Sequence, residues 1–253
     1  MSFFAIDKRV ALIVGAADPI GEAIGVRLGK GGASIILVDT DPEKVDATVK
    51  KIADAGVKVE GKAIDIKDAA QVEEAVEDIS KRFGSIDILI NAEDYINCKP
   101  ISDASVDDWV GAINNNLLPI FLFSRYVVPK MQAKKYGRIV NISEITYLGM
   151  PGTSNYAAAK SGIFGFTRSL ALELAKDGIT VNTVIKGDIN IERKELSEEE
   201  LQKATAAIPV KRLGMPEDIA YAVSYFASDT SNYTTGQMLF VCGGKSMYSS
   251  MSI

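Results

Sequence analysis

A chain of 253 residues with 47% apolar side chains can bury a large core; its formal charge of −5 and lack of any Lys/Arg run argue against nucleic acid as a partner. No apolar run is long enough to span a bilayer, and residues 1–6, ahead of Asp7, Lys8 and Arg9, are too short for a signal peptide, so no membrane partner and a cytoplasmic location are expected. Histidine is absent and the two cysteines, Cys98 and Cys242, lie far apart. That excludes Ser-His-Asp and Cys-His nucleophile systems, an ordinary zinc site and a disulfide framework; both thiols read as reduced core residues, and proton transfer falls to Tyr, Lys, Glu or Asp.

Along the first half of the chain, short β-rich runs alternate with amphipathic stretches. Strands are predicted at 10–14, 34–38, 58–64 and 86–90, with helices from about residue 20, over 42–55 and over 69–83. A long helix is expected over 116–134, because Pro119 falls in its first turn, where proline is tolerated. A strand at 137–142, a helix at 155–176 and a strand at 180–184 follow. Residues 187–214 are charged and polar and read as a flap over one end of the sheet, with a short helix at 197–207 opened by the capping-box pair Ser197 and Glu200. A helix at 216–227, with Pro216 in its first turn, and a strand at 237–241 close the pattern. This βαβ rhythm, with continuously apolar strands and no composition shift or internal repeat, predicts one α/β domain over 1–253. Its core is a doubly wound parallel sheet with helices on both faces.

The chemistry-bearing residues sit at the ends of these elements. Gly15 and Gly21 frame a turn between the first strand and first helix, where backbone N–H groups can hold a pyrophosphate. Asp39 ends the second strand, where an acid can accept from ribose hydroxyls and repel a 2′-phosphate, which favours NAD over NADP. Asp65 and Ile66 follow the third strand and Asn91 ends the fourth. Tyr156 and Lys160, four residues apart, share a helix face, so the ammonium can lower the phenol's pKa and make it a proton donor.

Together these motifs resemble the short-chain dehydrogenase/reductase family over essentially the whole chain, including the segments 212–220 and 235–244. The resemblance implies a Rossmann-type fold, with Tyr156, Lys160, Asn116 and a serine as catalytic residues. It also implies cofactor contacts at Gly15, Ile20, Gly21, Asp39, Asp65, Ile66, Asn91, Lys160 and Ile189. The implied reaction is NAD-dependent interconversion of a secondary alcohol and a ketone or 3-oxoacyl group, and no metal is implied.

Several positions depart from the family's pattern. Pro19 stands for the middle glycine of the loop, removing an N–H and adding a ring, and Asp18 beside it adds negative charge near the expected phosphates. Glu93 and Asp94 replace the end of an Asn-Asn-Ala-Gly motif; they are expected either against the adenosine or in solvent. Aligned on its strand, the chain has Glu144 at the serine position, while counting thirteen residues back from Tyr156 gives Ser143, the one hydroxyl that could substitute. An ionised glutamate offers only acceptors where a donor is needed. Lys186 stands for a proline; it is expected either exposed to solvent or in an ion pair with Glu144.

Two readings follow. The chain is either a working NAD-dependent oxidoreductase acting on an acyl-CoA or ketone, or a non-catalytic subunit, with NAD binding weak or lost, in a dimer or tetramer with itself or an active homologue. A nucleotide-sensing module is a third option with less behind it. The pattern of losses is similar to that of the inactive partner subunits of heteromeric hydroxyacyl-CoA dehydrogenases, which favours the subunit reading. The helices at 116–134 and 155–176, and the last helix and strand, are the expected partner surfaces.

Overall fold

A computed structural model describes residues 6–15, 17–192 and 194–249. Its centre is a seven-stranded parallel sheet: β1 (Val10–Val14), β2 (Ser34–Asp39), β3 (Val59–Ala63), β4 (Ile88–Asn91), β5 (Gly137–Glu144), β6 (Ile179–Lys186) and β7 (Met238–Val241). The strand order is β3-β2-β1-β4-β5-β6-β7. The order reverses between β1 and β4, so a crevice opens beyond the C-terminal ends of those strands, where ligands of such sheets bind.

Strand alternation divides the core in two. Ala11 and Ile13 of β1 face one side, with Ile24 and Leu28 of α1 (Pro19–Lys30), Val45 and Ile52 of α2 (Pro42–Asp54), and Val223 and Phe226 of α8 (Pro216–Ala227). Val10, Leu12 and Val14 face the other, with Val72 and Val76 of α3 (Ala69–Phe83), Phe123 and Met131 of α5 (Leu118–Lys134), and Leu174 of α6 (Ser154–Leu174). Each fully buried Leu, Ile or Phe contributes about 1.5–3 kcal/mol. The edge strands are the least buried: β3 mixes half-buried and exposed residues, and β7 leaves Met238, Leu239 and Phe240 partly exposed.

Several boundaries differ from expectation. The helix expected over 116–134 is observed as α5, which starts at Leu118 with Pro119 in its first turn as expected, but a further helix, α4 (Val106–Asn116), precedes it across a step at Leu117. Pro119 lacks an N–H and its ring crowds the carbonyl four residues back, so the helix does not run through. The unforeseen α4 contains Gly111 and the run Asn114, Asn115 and Asn116, all poor helix formers; a capping box between Ser105 and Asp108 starts it. The short helix α7 spans Glu198–Ala204, and an unforeseen α9 spans Lys245–Ser249. Strands β5 and β6 run on to Glu144 and Lys186, which are partners in register. That extension carries both charges to the functional end of the sheet.

The segment 187–214 is tied down by a bridge between Ile189 and Gly214 and by the buried Ile208. Cys242 is buried as expected, whereas Cys98 is exposed. Residues 1–5, on which the signal-peptide expectation mostly rests, lie outside the described residues. Among the described residues no helix is long and apolar enough to cross a membrane, and no cluster of His, Cys, Asp or Glu could hold a metal ion.

Candidate active site

Tyr156 lies in the first turn of α6 and Lys160 one turn later, both buried, with the Lys160 Nζ 5.5 Å from the tyrosine ring centre. The loop leaving β4 brings a third group between them. Tyr156 donates its hydroxyl to Asp94 Oδ1 at 2.5 Å, and Lys160 Nζ lies 3.2 Å from the same oxygen. Lys186, at the end of β6, reaches Asp94 Oδ2 at 3.0 Å. Lys160 also donates to the Glu93 carbonyl at 2.6 Å.

Burial opposes ionisation of Asp94, but Lys160, Lys186 and the Tyr156 hydroxyl outweigh it and hold the carboxyl well below the usual range. The same contact acts in reverse on the phenol. Burial, then the Asp94 charge and its hydrogen bond, push Tyr156 far above the ordinary tyrosine value. A tyrosine that exchanges a proton with a carbonyl needs a pKa near the working pH, and Tyr156 is moved the other way.

The remaining catalytic candidates are committed elsewhere. Ser143 is fully buried and donates to the Lys160 carbonyl at 3.1 Å, so its hydroxyl serves the packing of α6 against β5. Glu144 accepts from the Thr146 N–H at 3.1 Å and from the Thr146 hydroxyl, and burial raises its pKa against the pull of Lys186. The expected Lys186–Glu144 ion pair is therefore replaced by Lys186–Asp94: the two are strand neighbours, but the Asp94 carboxylate is closer to the ammonium and Glu144 is satisfied by its own turn. Asn116 accepts from Tyr95 N at 3.0 Å and donates to the carbonyls of Tyr95 and Ala112, each at 2.9 Å. It fastens the loop after β4 to α4.

On the other side of β4, the phosphate loop is also internally committed. Asp18 caps α1, accepting from the N–H groups of Ile20 at 2.8 Å and Gly21 at 2.9 Å, while Pro19 has no N–H to offer. Asp39 accepts from the Ala17 N–H at 2.8 Å and the Thr40 N–H at 2.6 Å. A pyrophosphate at this helix start would have to compete with two carboxylates for those donors.

Glu93 turns inward over Gly15 and does not reach solvent. Gly15 has φ +70°, and a Cβ there would fall 2.5 Å from Glu93 Cγ, so both the turn and the glutamate require glycine. Neither Glu93 carboxylate oxygen has a hydrogen-bond partner, and burial raises its pKa to about 8, against the pull of Lys160. The cleft of about 620 Å³ beside it is lined by Asp18, Asp39, Asp41, Asp65, Glu93 and Asp94, against Lys44 and Lys67 alone among basic groups.

Of the expected cofactor contacts, Gly15, Asp39, Asp65 and Ile66 line this one cleft. Ile20 and Ile189 pack into the core on the α1 and α8 side, and Asn91 is buried, donating to Asn141 Oδ1 at 2.8 Å. Motif comparison marks Asp94 and Lys186 as departures but does not pair them. The signal was available: a glycine-to-aspartate and a proline-to-lysine change in two motifs that meet at the same sheet end are opposite charges.

Comparison with known proteins agrees with this architecture. The sequence pattern of a family described as enoyl-(acyl carrier protein) reductase matches residues 15–246. Subunit BbsC of (2S)-[(R)-hydroxy(phenyl)methyl]succinyl-CoA dehydrogenase from Thauera aromatica is 46% identical over 247 residues, 97% of each chain. Subunit BbsD of the same organism's enzyme is 40% identical over 96% of this chain and 98% of that one. The crystal structure of levodione reductase superposes with a TM-score of 0.87 at 29% identity, covering 95% of this chain and 98% of that one.

Proposed function

We propose, from the premise that this chain belongs to the short-chain dehydrogenase/reductase family, that it is a non-catalytic subunit assembled with an active homologue in an NAD-dependent alcohol or hydroxyacyl-CoA dehydrogenase. One observation carries the reading: the Asp94 carboxylate takes the hydroxyl of Tyr156 and faces the ammonium of Lys160, the two groups the family's chemistry requires. Three further features support it. The Ser143 hydroxyl is committed to the Lys160 carbonyl and Glu144 to Thr146, the donors at the start of α1 are taken by Asp18 and Asp39, and the dinucleotide cleft is lined by Asp18, Asp39, Asp41 and Asp65. Two unit charges about 8 Å apart repel by about 2 kcal/mol at an effective dielectric near 20, so several such pairs disfavour a diphosphate. On this reading NAD binds weakly or not at all, and the residues do not fit it as a working coenzyme.

The partner is a homologue that retains its own site. BbsC and BbsD are different chains named as subunits of one dehydrogenase, and both are similar to this chain along its length. The surfaces for such a partner are the face of α5 and α6, which exposes Phe121 and Leu172, and the edge formed by β7 and α8.

The other reading, an active oxidoreductase working through Tyr156 and Lys160, is favoured by the survival of that pair. Tyr156→Phe separates the two. In the assembled complex, the subunit reading expects activity within about twofold of the unchanged enzyme, whereas loss of about a hundredfold or more, the contribution of a general acid, would assign turnover to this chain.

A further inference from the structure

At the end of β4 two ammonium groups and a phenol hydroxyl converge from different elements on one carboxylate. Lys186 comes from β6 and Tyr156 and Lys160 from α6, while Asp94 reaches them from the loop after β4. The lysine side chains are 1% and 9% exposed, so each needs a counter-ion in place, because a buried ammonium left unpaired is strongly unfavourable. Both oxygens of Asp94 are used: Oδ1 by Tyr156 and Lys160, Oδ2 by Lys186. Glu144, the other nearby acid, is bound to Thr146 and gives neither lysine a contact of this kind.

We propose that Tyr156, Lys160 and Lys186 form a binding site for a small monocarboxylate whose resident ligand is the chain's own Asp94, a tethered anion that holds β4, α6 and β6 together without a nucleotide. The inference rests on the non-catalytic reading of this site and adds the class of ligand that the surviving groups select. A single carboxylate has two oxygens for three donors, which is the arrangement seen. Chloride has the charge without the two acceptors, and a diphosphate brings charge and bulk that the neighbouring acids oppose.

Truncation followed by rescue tests it. Asp94→Ala removes one carboxylate, a group of formate's size, and leaves Cβ in place. The melting temperature should fall by roughly 10 °C, the loss expected when a buried ion cluster is broken in a chain of this length. About 100 mM formate, binding with a Kd near 10 mM, should then restore roughly 3–6 °C. Acetate should restore less, because its methyl meets the alanine Cβ, and chloride at the same ionic strength should restore nothing. Asp94→Ala combined with Lys186→Met, which keeps only Lys160 and Tyr156, should respond less to formate than Asp94→Ala alone.

An unchanged melting temperature in Asp94→Ala, or a drop that formate restores no better than chloride, overturns the proposal. If Asp94→Ala fails to fold alone, refolding in formate recovers soluble protein on this account. No recovery under conditions where Asp94→Asn folds would also overturn it. Activity of the complex carrying Tyr156→Phe reports on the non-catalytic reading alone, so failure of either one is read separately.

Discussion

On the two sides of the end of β4, consecutive acids meet opposite fates. Glu93 turns toward Gly15 and the phosphate loop, where it is buried with no partner and is held near neutrality up to about pH 8. Asp94 turns toward α6 and β6, where two ammonium groups and a phenol keep it ionised. Burial alone therefore does not decide what an inserted carboxylate does. The deciding factor is whether other elements bring it donors, and on the α6 and β6 side two lysines and a tyrosine do. The cleft side of β4 thus holds a buried acid without a partner, while the α6 and β6 side holds an ion cluster.

The largest expected effect that sharpens this contrast is at Glu93. A carboxyl whose folded pKa lies above its ordinary value gives full stability only below that ordinary value, 4.5, and loses it as pH rises toward about 8. Stability of the unchanged chain should fall over that interval by about 5 kcal/mol at most, and Glu93→Gln should flatten the decline. Urea midpoints at pH 5 and pH 8.5 check it; equal slopes in both proteins would mean that Glu93 finds a partner or reaches water.

A smaller effect is expected across the strand end. Lys186→Met leaves Asp94 with Lys160 and Tyr156, and should cost about 2 kcal/mol, less than complete loss of a buried pair because part of the cluster survives. Chemical denaturation measures it, and a neutral result would make Lys186 a bystander. Smaller again is Asp18→Ala, which should cost about 1 kcal/mol through loss of the α1 cap while freeing the Ile20 and Gly21 N–H groups. If it costs nothing, Asp18 is not the group holding those donors.

The sequence was informative about whatever local pattern controls. The strands and most helices follow from apolar periodicity, and Asp39 at the end of β2 or Tyr156 and Lys160 on one helix face follow from spacing. It was less informative where distant segments decide. Helix α4 hides behind glycine and asparagine and is stabilised by a cap and by packing, whereas α5 was legible from its apolar run and from Pro119 in its first turn. The partner of Lys186 depends on the direction taken by the loop after β4. Periodicity places that loop at the sheet end, but it does not aim the Asp94 side chain.

If the pyridine-nucleotide site is given over to the chain's own carboxylates, calorimetric titration of the purified chain with NAD⁺ and NADH reads it out. No saturable heat is expected up to about 1 mM of either form, a standard free energy of binding weaker than about −4 kcal/mol. Saturable binding with a micromolar Kd would contradict it.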